Sequence, residues 1–131
     1  MQNINEKYAA EVQSAIDNMV AAVEAGDIDK VMACYEPNAI VVASPDQVAS
    51  GEAIRAMFEQ IIQMKPVFTF EKHEVLVTGD IATHTANWQF KATLPDGNTL
   101  EEGGLTMVVL RRQANGQWLF VIDNPMVGQL Q

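Results

Sequence analysis

The stretch that decides the fold is 68-FTFEKHEVLVTGDIATHTANWQFKATL-94, where the hydrophobic pattern has a period of two. Gly79-Asp80 interrupts the alternation with residues typical of a tight turn. The stretch therefore predicts two antiparallel strands joined by that turn. The same pattern continues to the C-terminal side: a PDGN turn at 95–98, a strand over 99–112, an Asn115-Gly116 turn and a strand over 117–123.

The sequence before this stretch has a helical period instead. Apolar residues at spacings of three and four predict a long amphipathic first helix: Tyr8, Val12, Ile16, Met19, Val20 and Val23. Gly26 suits the left-handed position that ends a helix, and Asp27 can cap a second, shorter one. We expect Tyr35 on the apolar side of that short helix and Pro37-Asn38 at its end.

A short β-rich run and a third helix complete the N-terminal half. Ala39–Ala43 predicts a strand, followed by a loop, and Ser50 is expected to cap a helix that Pro66 closes. Helices thus come first and antiparallel strands last. This order predicts one α+β domain over residues 1–131, in which a curved antiparallel sheet wraps around a long helix and two shorter ones.

Composition narrows the classes of partner. The formal charge is −9, which repels nucleic acid and anionic membrane surfaces. There is no apolar run near 18 residues, the N-terminal sequence is polar, and the single cysteine excludes an internal disulfide. These features predict a soluble cytoplasmic protein that binds neither nucleic acid nor membrane.

One cysteine and two distant histidines predict no metal site, and no motif indicates a cofactor. Gly103-Gly104 predicts a bulge or bend rather than a phosphate-binding loop.

Several local motifs resemble the nuclear transport factor 2-like superfamily, and within it the SnoaL-like and ketosteroid-isomerase-like small proteins. They are the Gly26-Asp27 step, the link from Tyr35 to Asn38, Gly51 before the third helix, and the hairpin from Leu110 to Trp118. The resemblance covers about residues 8–126. It implies a cone with a small, mostly apolar ligand inside, and a homodimer formed through the outer face of the sheet. The uncharged residues Thr83, Thr85, Asn87 and Gln89 suit such packing.

The resemblance also indicates where catalytic groups would lie. Steroid isomerase chemistry needs a carboxylate base, a tyrosine and a protonated acid. The matching positions hold Ala43, Met19 and Val108, which cannot supply them and are predicted to line the pocket. A slip of one residue would place Ser44 at the base position, and Asp46 lies on the following loop.

Strand parity supplies other candidates. His84 lies on the apolar face predicted to point into the cone, and Asp123 shares its parity with Val121 in the last strand. The family resemblance implies that this face of the last strand belongs to the pocket, so Val121 and Asp123 are expected to line it. We expect His84 and Asp123 to form a base and its orienting carboxylate if they meet across the sheet. The structural alternatives are a hydrogen-bonded core histidine and an aspartate that caps the strand end. His73 is interpreted as part of a solvated face.

Tyr35 and Trp88 are expected either to line the pocket or to pack in the core. Two functions remain open at this point. One is binding of a small apolar molecule with lyase, isomerase or cyclase chemistry, and the other is a non-catalytic ligand carrier or dimerising association module. The sequence does not decide whether the protein is an enzyme.

Overall fold

A computed structural model describes residues 4–127 of the chain. Its elements are α1 (Ile4–Ala25), α2 (Ile28–Ala33), β1 (Tyr35–Ser44), β2 (Gln47–Ser50), α3 (Glu52–Gln63), β3 (Val67–Thr78), β4 (Ile81–Thr93), β5 (Thr99–Arg112) and β6 (Trp118–Val127). The strands form one sheet in the order β2-β1-β6-β5-β4-β3. Its pairings are antiparallel except for β1 with β6, which is parallel. The predicted α+β class and the predicted meander of β3 to β6 are confirmed.

The helices cover one face of the sheet. α1 packs on β3, β4 and β6, and α3 contacts β1 and β2. The side chains that alternate inward along β4 are buried, as the sequence predicts: Ala82, His84, Ala86, Trp88, Phe90 and Ala92. None of the helices within residues 4–127 is both long and apolar enough to span a bilayer.

The link between α1 and α2 follows the sequence prediction. Gly26 has a φ of 76°, the left-handed region that favours glycine. Its amide donates to the Val23 carbonyl at 3.0 Å, and the Asp27 amide donates to the Ala22 carbonyl at 3.0 Å. The Asp27 carboxylate then accepts a hydrogen bond from the Lys30 amide at 3.2 Å. Asp27 therefore caps α2.

The end of α2 differs from the prediction. The helix stops at Ala33, with Cys34 as its C-cap, so Tyr35 and Pro37-Asn38 lie in β1 instead. The cause is a tertiary hydrogen bond, because the Phe120 amide donates to the Cys34 carbonyl at 2.8 Å and draws the chain into the sheet. Because Phe120 and Cys34 are far apart in the sequence, the residues around Tyr35 give no indication of this hydrogen bond.

The segment after β1 also differs. Residues predicted as a loop form the edge strand β2, which returns antiparallel along β1. Ser44 donates to the Asp46 carboxylate at 3.0 Å, and both groups remain in the turn between the two strands. Asp46 is exposed and does not reach inward. The cap of α3 is Gly51, with a φ of 56° and no side-chain cap, while Ser50 belongs to β2.

Two strands contain irregularities that change which side chains face inward. In β3 the register shifts between Glu71 and Glu74, where Lys72 has a φ of 55°. In β6, Ile122 pairs with Val109 whereas Phe120 pairs with Leu110, so Val121 is the extra residue of a β-bulge. Gly103-Gly104, in contrast, lies in a continuous register with β4 and is not a bulge.

Candidate functional site

A cavity of about 340 Å³ lies between the helices and the inner face of the sheet. Its walls combine aliphatic side chains with these methionine and aromatic ones: Met19, Met57, Met64, Met126, Phe58, Phe68, Phe70, Trp88, Phe90 and Phe120. These side chains make the cavity apolar, and the thioethers can adapt to a ligand's shape. Few polar side chains interrupt this lining: His84, Glu102, Thr106 and Asp123.

Asp123 is the buried acidic group of the cavity. β6 places it between Val41 of β1 and Val108 of β5, two apolar neighbours. The Tyr35 hydroxyl donates to its Oδ2 atom at 2.6 Å. Among residues 4–127, no other hydrogen-bond donor to this carboxyl is observed. The side chain keeps 8% of its surface exposed, so a ligand in the cavity can touch it.

Burial sets the proton affinity of both members of this pair. Desolvation raises the pKa of Asp123 to about 6, although the hydrogen bond from Tyr35 lowers it. Burial and the neighbouring Asp123 raise the pKa of Tyr35 well above its ordinary value. The tyrosine therefore remains a hydrogen-bond donor at neutral pH, while the carboxyl changes protonation close to neutrality.

Tyr35 lies behind Asp123, outside the cavity lining. Its ring is 5.1 Å from that of Phe120 and 5.8 Å from that of Phe58, centroid to centroid. This packing fixes the hydroxyl on Asp123. Of the two places expected for Tyr35, the pocket lining and the core, it occupies the core, from which it positions the group that lines the cavity.

His84 is fully buried, with 0% of its surface exposed. Its Nε2 atom lies 3.1 Å from Gln13 Oε1 and 3.0 Å from His73 Nδ1. The Gln13 amide nitrogen donates to Asp17 at 3.1 Å, which turns its oxygen toward His84. Nε2 therefore carries the proton and donates to Gln13, and Nδ1, also buried, has no partner among the described residues.

The pKa of His84 is lowered to about 4 by burial and by the nearby His73, so the imidazole is neutral at pH 7. His73 was interpreted as a solvated strand residue, and its ring is indeed exposed. The shifted register of β3 nevertheless brings it to within 5.1 Å of the His84 ring, centroid to centroid. His84 is thus a packed, hydrogen-bonded wall residue with no exposed surface for a ligand.

His84 and Asp123 do not meet. In the sheet, His84 pairs with Val108 and Val108 pairs with Asp123, so a whole strand separates them. Two strand spacings are about 10 Å. The base and orienting carboxylate expected from the sequence therefore do not form a pair, and Asp123 pairs with Tyr35 instead.

Most of the remaining residues predicted to line the pocket do line the cavity, and one does not. Met19, Ala43, Trp88 and Val108 line the cavity. Val121 does not, because the bulge in β6 turns Phe120 inward in its place. The Tyr35–Asp123 pairing was missed because the two residues are 88 positions apart and parity gives no distance information. Within residues 4–127, no group of three or more His, Cys, Asp or Glu side chains could hold a metal ion.

Comparison with known proteins supports the same architecture. Residues 16–121 match the family model of a SnoaL-like domain. Among curated proteins, none matches the chain significantly in sequence.

Solved structures with the same fold are numerous, and three illustrate their range. A Xanthomonas campestris protein, assigned provisionally as a calcium/calmodulin-dependent protein kinase II association domain, is 24% identical with a TM-score of 0.78, covering 90% of this chain and 87% of its own. A nuclear transport factor 2-like superfamily protein of Salmonella enterica is 18% identical with a TM-score of 0.79, covering 88% and 87%. A ketosteroid isomerase-like protein of Erwinia carotovora is 16% identical with a TM-score of 0.69, covering 88% and 92%.

Proposed function

Because the chain belongs to the SnoaL-like domain family, we propose that it binds a small, largely apolar molecule in this cavity and exchanges a proton with it through Asp123. The observation that carries the proposal is a carboxyl at the cavity wall, buried among apolar side chains yet partly exposed to the interior. Such a site binds an apolar body and presents one polar group to it.

The protonation of Asp123 suits this role. A general base or acid works best when its pKa lies near the working pH, and that of Asp123 is about 6. Tyr35 holds the carboxyl by a 2.6 Å hydrogen bond and thereby acts as a positioning residue. A proton taken from a ligand carbon would pass to the Asp123 carboxylate, and the same carboxyl would return it to a neighbouring carbon or oxygen.

The usual ketosteroid isomerase residues play no part in this proposal. Met19, Ala43 and Val108 line the cavity at the positions where the family resemblance implies catalytic groups. None of them exchanges protons. Acid–base chemistry here would therefore depend on Asp123. His84 would not contact the ligand, because it is buried in the cavity wall.

Deuterium exchange into an apolar ketone tests the proposal. 2-Tetralone has a two-ring apolar body and acidic protons next to its carbonyl, and NMR in D2O follows their loss. We expect the protein to accelerate exchange and Asp123→Asn to reduce the acceleration by about 100-fold or more. Tyr35→Phe should reduce it less, because the base remains.

The matched control is Asp46→Asn. This substitution removes the exposed carboxylate of the β1–β2 turn, which is the other carboxylate considered from the sequence near the strand end. Asp46→Asn should leave the exchange rate within about twofold of the wild type, an ordinary surface effect. Equal rates for the wild type and Asp123→Asn would contradict the catalytic role.

A second candidate function is a non-catalytic ligand carrier. The apolar residues at the three positions just described favour it, since a carrier needs an apolar cavity and no proton transfer. Saturable binding of 2-tetralone, measured by calorimetry, without any accelerated exchange would select the carrier. A dimerising association module would instead show no binding at all.

We also propose that two copies of the chain pair through the outer face of the sheet. Residues directly opposite in neighbouring strands share a face, so Leu105 and Ile122 lie on the same face as Thr83 and Asn87. Leu105 and Ile122 each keep 37% of their surface exposed. These apolar side chains, next to the uncharged ones of β4, suit packing of one sheet on another.

A further inference from the structure

The charged residues around the cavity indicate which charge its ligand carries. We infer that the cavity prefers a protonated amine: an apolar molecule with one ammonium group that pairs with Asp123. The inference rests on the proposed function, because it specifies the ligand of that same site. It goes beyond the proposal by fixing the charge of the ligand, which an apolar lining leaves open.

Anionic side chains dominate the charge of the cavity. Its ionisable lining residues are Asp123, Glu102 and His84. Among the described residues, no lysine or arginine lines it. His84 is neutral at pH 7 and adds no positive charge. A carboxylate ligand would therefore meet like charges without a compensating cation, whereas an ammonium group would meet only opposite ones.

Hydrogen bonding at Asp123 points the same way. Tyr35 donates to Oδ2, and no described residue donates to Oδ1. Asp123 lines the cavity and keeps 8% of its surface exposed, so its carboxylate can accept a hydrogen bond from a ligand, and a charged N–H donor makes the strongest such bond. An ammonium group at this carboxylate would supply both an N–H donor and a positive charge.

The walls suit the rest of such a molecule. Six aromatic rings line the cavity, among them those of Trp88, Phe58 and Phe120. Aromatic faces attract cations in addition to burying apolar surface. The cavity therefore accommodates an aryl or alkyl body attached to the ammonium group.

The two carboxylates of the cavity are far apart. Asp123 pairs with Val108 across the sheet, and Glu102 lies six positions before Val108 along β5. Six residues of extended strand span about 20 Å. Glu102 is exposed, whereas Asp123 is buried. One small amine therefore pairs with one of them at a time, and the buried carboxylate is the stronger partner because water screens it less.

Three molecules of one shape separate charge from fit: 2-(aminomethyl)naphthalene, 2-naphthalenemethanol and 2-naphthoic acid. Calorimetric titration of the wild-type protein at pH 8 should show the amine binding at least about tenfold more tightly than the alcohol, since charged hydrogen bonds are the stronger ones. The acid should not reach saturation. This comparison needs no variant, so it does not depend on how a substitution affects folding.

Variants then locate the preference. Asp123→Asn should reduce the affinity for the amine to that for the alcohol. Asp46→Asn, the matched control, removes an exposed carboxylate outside the cavity lining and should leave the amine preference within about twofold of its wild-type value. Equal affinity for amine and alcohol, saturable binding of the acid, or a preference that survives in Asp123→Asn would overturn the inference. Binding of the alcohol without amine preference would leave the proposed function standing. Failure of all three molecules to bind would overturn both.

Discussion

The reactive group of the cavity is the Asp123 carboxyl, and the hydrogen bond from Tyr35 holds it in place. The hydroxyl stabilises the carboxylate form at 2.6 Å, against the burial that raises its pKa. Tyr35→Phe should therefore raise the pKa of Asp123 above about 6 and reduce the free energy of unfolding at pH 8 by about 1–2 kcal/mol. NMR of the labelled Asp123 carboxyl gives the first value, and urea unfolding gives the second.

Tyr8→Phe is the matched control. Tyr8 packs on Trp118 with ring centroids 5.7 Å apart and lies away from Asp123. It should leave the titration of Asp123 unchanged. If Asp123 titrates identically in Tyr35→Phe and in the wild type, the hydrogen bond does not control its proton affinity.

Asp123 and His84 should affect stability with opposite dependence on pH. Folding raises the pKa of Asp123 from 3.8 to about 6, so its contribution to stability is lost as pH rises between these values. Folding lowers the pKa of His84 from 6.5 to about 4, so its contribution is lost as pH falls between these values. Each contribution amounts to at most about 3–3.5 kcal/mol, and in the wild type the two largely offset each other.

Single variants should separate the two effects. Asp123→Asn leaves the histidine contribution alone, so its stability should fall more steeply than the wild type's between pH 6.5 and 4. His84→Gln leaves the aspartate contribution, so its stability should fall less steeply or rise. Urea unfolding at several pH values measures these slopes, with Asp46→Asn expected to follow the wild type. Parallel slopes for Asp123→Asn and His84→Gln would show that neither shift has the stated origin.

Regular elements were predictable, and irregular ones were not. The inward face of β4 follows its period of two because its pairing with β5 is continuous. The same reasoning fails at Val121, because the bulge in β6 changes the parity there. It also gives no sign that the register shift in β3 brings the exposed His73 close to His84. Such irregularities depend on neighbouring strands, which a single sequence does not reveal.

The backbones of Gly103 in β5 and Trp88 in β4 approach each other closely, and this contact also depends on the neighbouring strand. A Cβ atom built there would lie 2.8 Å from the Trp88 carbonyl oxygen, which is backbone and cannot rotate away. We predict that Gly103→Ala separates β4 from β5 locally and reduces the free energy of unfolding by about 2–3 kcal/mol. Chemical denaturation measures this loss.

Gly79→Ala provides the comparison for that prediction. Nothing lies within 4 Å of a Cβ built at Gly79, whose φ is 55°, so the cost there is backbone strain alone. That strain is about 1 kcal/mol. A Gly103→Ala loss no larger than the Gly79→Ala loss would refute the close approach.

At the scale of the whole molecule, the order of helices and strands was sufficient to predict the fold class. Periodicity and turn residues are local, and they place α1, α3 and the meander. The site required more, because the pair that forms it joins the start of β1 to the middle of β6. Residue type and strand parity indicate Tyr35 and Asp123 separately as candidates, but they suggest His84 rather than Tyr35 as the partner of Asp123. Long-range pairing decides such contacts.

We predict that two copies of the whole molecule pair through the outer face of the sheet. Sedimentation should give about twice the 14.4 kDa mass of one chain at micromolar concentration. Ile122→Glu places a charge in the centre of the outer face and should produce monomers, because a buried unpaired charge is costly. Val48→Glu, on the exposed edge strand β2, should remain dimeric. A monomeric wild type, or a dimer that tolerates Ile122→Glu, would exclude this interface.

The central claim is that the apolar cavity holds a small molecule against Asp123. A crystal structure of the protein with bound 2-tetralone tests it most directly. We predict that the rings lie between the helices and the inner face of the sheet, with the carbonyl group or its neighbouring carbon within about 3.5 Å of the Asp123 carboxyl. A cavity closed by its own side chains, or a ligand bound with its carbonyl turned away from Asp123, would contradict the claim.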